Sequence, residues 1–242
     1  MMLGRLMGAT GVIGAVGAML VIAGTGQVGA RGGGVVLGGG SGIAIGDDVP
    51  GGLWLCTLTA VGHDRDGRAV GITAGHCGDP GDQVRAETAL GAGEVGRIVD
   101  SDHYWDWAVI EFDAAKVELV RAVGPAVVAG IGAPPGPLQM VCKNGRTTGF
   151  TCGPVWENLS GGFSSHVCAD YGDSGSPVLA GDRLVGMIVS GDPYILGSLT
   201  AWMPSCANPA DPVHEPDLAT DITAVLDDIN AHNGIGAGFR PI

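Results

Sequence analysis

The sequence carries little positive charge. Lys and Arg number 12 in 242 residues against 25 Asp and Glu, a formal net charge of −13. Binding to nucleic acid or to anionic lipid draws on basic patches, so a nucleic-acid module is excluded and charge-driven membrane binding is disfavoured. Charged residues are few in total (15 %) and hydrophobic ones are 45 %, a composition that can bury a core and is not that of a disordered chain. Metal-ligand spacing is missing too. No Cys-x-x-Cys or paired-histidine pattern occurs, and Cys56, Cys77, Cys142, Cys152, Cys168 and Cys206 are scattered. One nucleotide-like motif, Gly24-Thr25-Gly26-Gln27-Val28-Gly29, lacks the helix that would aim its N-terminus at a pyrophosphate, because the glycine-rich run 31–40 follows. No metal and no organic cofactor are expected.

Glycine is what the chain has in excess: 45 of 242, about 19 % against roughly 7 % on average. So many helix-weakening residues argue against an all-helical fold. Short apolar runs such as Leu53–Ala60, Ala69–Ala74, Ala108–Phe112 and Leu184–Ser190 are divided by turn dipeptides such as Asp66-Gly67 and Asn144-Gly145. That spacing predicts an all-β barrel or sandwich. Late in the chain, Asp217 can cap a helix that places Leu218, Ile222, Val225, Leu226 and Ile229 on one face.

Arg5 is followed by uncharged residues from Leu6 to Ala30, ending in Val28-Gly29-Ala30. A basic start, an apolar stretch and a small-x-small exit describe a secretory signal, the alternative being an uncleaved membrane anchor. Six cysteines in an exported chain suggest three disulfides, in any of the 15 pairings that six allow. The expected organisation is a signal segment or anchor over 1–30, a glycine-rich arm over 31–50 with no core of its own, a folded domain over 51–234 and a flexible tail over 235–242. The expected location is extracellular, or the outer face of the cell membrane if the segment is retained.

Three stretches carry chemistry: Thr73-Ala74-Gly75-His76-Cys77, Asp106-Trp107-Ala108-Val109-Ile110 and Gly172-Asp173-Ser174-Gly175-Ser176-Pro177. A serine hydroxyl becomes a useful nucleophile when a base takes its proton during attack. Histidine has the pKa for that task, provided an acceptor holds it in one tautomer. A serine in a glycine-bounded turn is exposed, and its backbone N–H can help to stabilise an oxyanion. Together these residue types point to acyl transfer.

In this order, the three motifs resemble the chymotrypsin-like serine proteases, especially the bacterial streptogrisin and α-lytic type. Val141-Cys142-Lys143-Asn144-Gly145-Arg146-Thr147-Thr148-Gly149 also resembles a turn of the bacterial branch. The resemblance spans about residues 53 to 206. It implies two antiparallel six-stranded β-barrels with a C-terminal helix, facing each other across a cleft. It further implies His76 as general base, Asp106 as its orienter, Ser174 as nucleophile, and the backbone N–H groups of Gly172 and Ser174 as the oxyanion hole. Ser190, Gly191, Asp192 and His166 would touch the substrate, a peptide or protein. The disulfides implied are Cys56–Cys77, Cys142–Cys152 and Cys168–Cys206. No basic cleavage site precedes Ile43-Ala44-Ile45-Gly46, and Lys143 takes the place of an internal arginine of the bacterial relatives. A Lys143–Asp173 ion pair is therefore expected, because a carboxylate buried beside the nucleophile needs a partner. The alternative to an enzyme is a protease-fold scaffold that binds without turnover.

Overall fold

A computed structural model describes residues 33–46, 52–190 and 203–242, with only the backbone described at Ser190. The signal-like segment and most of the substrate-contacting stretch after Ser190 lie outside the described residues. The fold is all-β with one helix. Seven strands between Gly42 and Phe112 and the C-terminal strand Arg240–Pro241 form an eight-stranded sheet, with Arg240–Pro241 at one edge and Trp54–Thr57 at the other. Trp54–Thr57 and Ala60–His63, which pairs with Arg240–Pro241, are separated only by Leu58-Thr59. The sheet thus bends round as a half-barrel rather than closing by a full ladder of hydrogen bonds. In the second sheet, Asp217–Asp221 pairs with both Gly162–Ser165 and Arg183–Ser190, which closes six strands into a barrel.

Alternation explains how each strand buries one face. Ile43, Ile45, Leu58, Ile98 and Ile110 fill the first barrel, and Val141, Val155, Phe163 and Val178 the second. A third cluster lies between them. Val70, Ile72 and Trp107 of the first sheet meet Leu179, Leu184 and Met187 of the second, with Ile222, Val225 and Ile229 of the helix packed against both. The cleft between the two sheets is therefore floored by core.

Three sequence expectations change. The arm 31–50 does have a core role: Gly42–Ile45 pairs with two strands, and Leu37, Ile43 and Ile45 are fully buried. The tail 235–242 pairs through Arg240–Pro241 with Gly62 and His63, and Ala237 is buried. Both segments belong to one compact unit, Gly33–Ile242. The helix is Ile222–His232, so Asp217 does not cap it; the Asp221 side chain accepts the Thr223 N–H at 2.9 Å instead. Asp217 and Leu218 are drawn into a strand because Gly162–Ser165 pairs with both and Arg183–Ser190 also pairs with Leu218, and that pairing outweighs local helical periodicity.

Candidate active site

His76 follows the buried strand Ala69–Ala74 in a single 3-10 turn, Gly75–Cys77. A β-carbon at position 75 would fall 2.6 Å from the Asp102 carbonyl oxygen and 2.9 Å from the Trp107 nitrogen, so only glycine lets this turn press against the segment that carries Asp106. The Cys56–Cys77 disulfide ties the turn to the strand Trp54–Thr57. Asp106 sits at φ 54°, a left-handed conformation that aspartate tolerates better than most residues. Next to it, Trp107 is fully buried and donates its ring N–H to Asp228 of the helix at 2.9 Å.

This backbone brings Asp106 to His76 twice. Oδ1 accepts the His76 backbone N–H at 2.7 Å, and the ring Nδ1 lies 2.8 Å from Oδ2 and 3.1 Å from Oδ1. A neutral ring donating from Nδ1 leaves Nε2 as the acceptor. Ser174 lines the same cleft as His76 and Asp106, a cavity of about 750 Å³. Among the described residues no hydrogen bond joins the Ser174 hydroxyl to the His76 ring.

The first sheet grips the serine turn through its carbonyls. Thr57 N–H donates to the Ser174 carbonyl at 2.8 Å, Thr57 Oγ1 to that of Gly172 at 2.9 Å, and Thr59 Oγ1 to that of Gly175 at 2.6 Å. Among the described residues, no backbone acceptor takes the N–H of Gly172 or of Ser174, whereas those of Asp173, Gly175 and Ser176 are all bonded. Gly172 has φ +93°, and a β-carbon there would lie 2.5 Å from Arg146 Nη1. Thr57 and Thr59 were not singled out in the sequence; their signal is a pair of polar residues inside the apolar run Leu53–Ala60, and both are fully buried.

Behind the turn, Lys143 and Asp173 are both buried, with Nζ 3.0 Å from Oδ2. Lys143 also donates to Thr148 Oγ1 and to the Gly149 carbonyl. Asp173 Oδ1 accepts the Thr147 N–H at 2.8 Å, and Oδ2 accepts the Asp170 N–H at 3.1 Å. Burial pushes the Lys143 ammonium below its ordinary pKa, opposed by the Asp173 charge. Disulfides join Cys142 to Cys152 and Cys168 to Cys206, the second lying just before the serine turn.

His166 is not among the described residues that line the cleft. Its ring stacks on His214 at 4.1 Å with Trp156 beside it, and Nε2 lies 3.1 Å from the Pro212 carbonyl. Gly191 and Asp192 lie outside the described residues. Residues that do line the cleft and were not anticipated include Trp54, Asp170, Tyr171, Glu215 and Asp217.

No protein-family model matches the sequence. Streptogrisin-C of Streptomyces griseus is 26 % identical over 130 residues, which is 49 % of this chain and 28 % of that protein. The chain thus matches well under half the length of that relative. Among solved structures, a Nocardiopsis protease superposes with TM-score 0.61 at 22 % identity, covering 81 % of this chain and 97 % of that one. Cellulomonas bogoriensis chymotrypsin superposes with TM-score 0.59 at 25 % identity, covering 86 % and 98 %.

Proposed function

We propose that this chain, of the bacterial chymotrypsin-like serine protease type by fold and by sequence likeness, is a secreted endopeptidase working through an acyl-enzyme. His76 Nε2 takes the Ser174 proton as Oγ attacks the substrate carbonyl, then returns it to the leaving amine. Asp106 holds the ring tautomer and stabilises the imidazolium that forms; it is not itself protonated. The N–H groups of Gly172 and Ser174 receive the negative charge of the tetrahedral intermediate. Water then releases the acyl group by the same path. No step needs a metal or cofactor.

The observation that carries this reading is the doubly bonded His76–Asp106 pair in one cleft with Ser174 and two unclaimed N–H donors. Catalytic hydrogen bonds to the nucleophile often tighten only when substrate is bound, so the missing Ser174–His76 bond is compatible with turnover. It is also the feature that favours the second reading, a scaffold that binds peptide without cleaving it. Ser190, Gly191 and Asp192 directly follow the cleft-lining Val189 in the sequence, and by the family resemblance they would touch the substrate. Three disulfides suit an oxidising, extracellular setting. No helix among the described residues is long and apolar enough to cross a membrane. The folded domain would begin with the Gly33 unit rather than at residue 51.

A fluorophosphonate probe tests the reading. The native protein is expected to be labelled and Ser174→Ala is not. Equal labelling of both removes Ser174 as nucleophile, and no labelling of either favours the scaffold.

A further inference from the structure

The cleft carries an acid that the proposed chemistry does not use. Asp217 opens the strand Asp217–Asp221, opposite Ser165 on one side and beside Leu218, which pairs with Ser190, on the other. It lines the same cavity as His76 and Ser174 yet is only 4 % exposed. Its Oδ2 accepts the backbone N–H of Ala169 at 2.9 Å, five residues before Ser174. Oδ1 accepts nothing among the described residues. Ionised, a buried carboxyl half satisfied in this way is costly, and either a proton or a cation relieves it.

No cation of the described chain does so. Lys143 is the cation whose field reaches Asp217, and its ammonium is committed to Asp173. The other charged groups acting on Asp217 are Glu215 and Asp173, both of the same sign, and Asp170 lines the cavity as well. The cavity wall also contains the apolar residues Ala169, Ile188 and Val189, and Ala169 is the one that bonds Asp217. A cavity wall that combines apolar residues with an incompletely bonded carboxyl group fits an aliphatic stem with a cationic head. An acidic side chain would meet carboxylates and no free cation.

We propose that Asp217 is a specificity-determining residue, receiving the cationic head of a lysine or arginine on the acyl side of the scissile bond. This rests on the endopeptidase reading above, and it assigns the pocket a substrate class that the segment before Cys168 does not supply. Burial holds the Asp217 carboxyl protonated up to about 8 in the free protein, with the Ala169 N–H and Lys143 pulling the other way. A cationic side chain favours the ionised form, so its selection strengthens as pH rises toward and through 8.

The test uses the full chain and peptide amides that differ only at the residue before the cleaved bond: arginine, lysine, norleucine, phenylalanine and glutamate. Arginine and lysine are expected to exceed norleucine in kcat/KM by about 30-fold or more, from the usual worth of a buried charge pair. Asp217→Asn is expected to erase that advantage, read as the arginine-to-norleucine ratio of kcat/KM within the one variant. The arginine-to-norleucine ratio of the native protein is expected to climb between pH 6.5 and 9. Norleucine, phenylalanine or glutamate preferred by a labelled native protein overturns the assignment, as does an Asp217→Asn variant that keeps the arginine preference. Where Asn is not tolerated by the fold, the native ranking and its pH trend decide alone. If the probe labels nothing, the endopeptidase reading fails separately, and agmatine binding by calorimetry decides the pocket: binding lost in Asp217→Asn supports it, and no binding to the native protein overturns it.

Discussion

Lys143 Nζ lies 3.0 Å from Asp173 Oδ2 with both side chains fully buried, directly behind the turn that carries Ser174. Two charges in a low-dielectric interior hold each other, and removing one strands the other. Lys143→Met is therefore expected to cost about 3–5 kcal/mol of stability. The double variant Lys143→Met/Asp173→Asn should recover part of that loss. Denaturant midpoints for the native protein, Lys143→Met, Asp173→Asn and the double variant check this; a double variant as unstable as the two single losses summed would show that the pair has no mutual energy.

Asp106 bonds His76 through both the backbone N–H and the ring. Asn tolerates the φ of 54° found here but presents an amide where the ring N–H needs an acceptor. Asp106→Asn is expected to lower kcat by about 10⁴, a size taken from the protease family's own triad template, with little change in thermal midpoint. Activity within ten-fold of native would deny Asp106 the orienting role.

Gly172 stands at φ +93°, and an added β-carbon would press on Arg146 Nη1 and Thr147 Oγ1. Arg146 cannot readily yield, because its guanidinium is held by Glu87 at 2.5 and 2.7 Å. Gly172→Ala should therefore strain the turn and tilt a donor out of the oxyanion position. The expected result is a loss of kcat of about 10²–10³, the usual price of one such donor, with KM little changed. Steady-state kinetics on one peptide substrate provides the check.

The disulfides should rank by loop length. Cys168–Cys206 spans 38 residues, Cys56–Cys77 spans 21 and Cys142–Cys152 spans 10. Closing a longer loop restricts the unfolded chain more, by about 4 kcal/mol for the longest and about 3 for the shortest. Paired Cys→Ser variants, unfolded in urea, should follow that order.

Asp217 also predicts a stability trend. The unfolded chain ionises this acid near its ordinary value of 3.8, the folded chain only near 8. Between those values the folded state binds the extra proton, so the group's contribution to stability falls as pH rises from about 4 to 8 and then levels. The stability difference between native and Asp217→Asn should therefore shrink or reverse over that range. A pH-independent difference, read from urea midpoints, would refute it.

Turn chemistry and motif order in the linear chain are local properties, and they suffice for much of this protein. Glycine-rich punctuation between short apolar runs already implies an all-β chain, since few of those segments could sustain a helix. His76, Asp106 and Ser174 stand in motifs whose neighbouring glycines and aspartates point to the proposed chemistry. Pairing between distant strands is another matter, because it depends on partners that no window along the sequence contains. That is why Asp217 reads locally as a helix cap yet becomes a strand residue in the cleft wall, why Gly42–Ile45 leaves its glycine-rich surroundings for the core, and why Arg240–Pro241 is no loose end. The grip of Thr57 and Thr59 on the serine turn, across more than a hundred residues, likewise exists only once two sheets meet. Residue type determined which chemistry is available; the packing of one sheet against the other decided where its donors and its unpaired acid point.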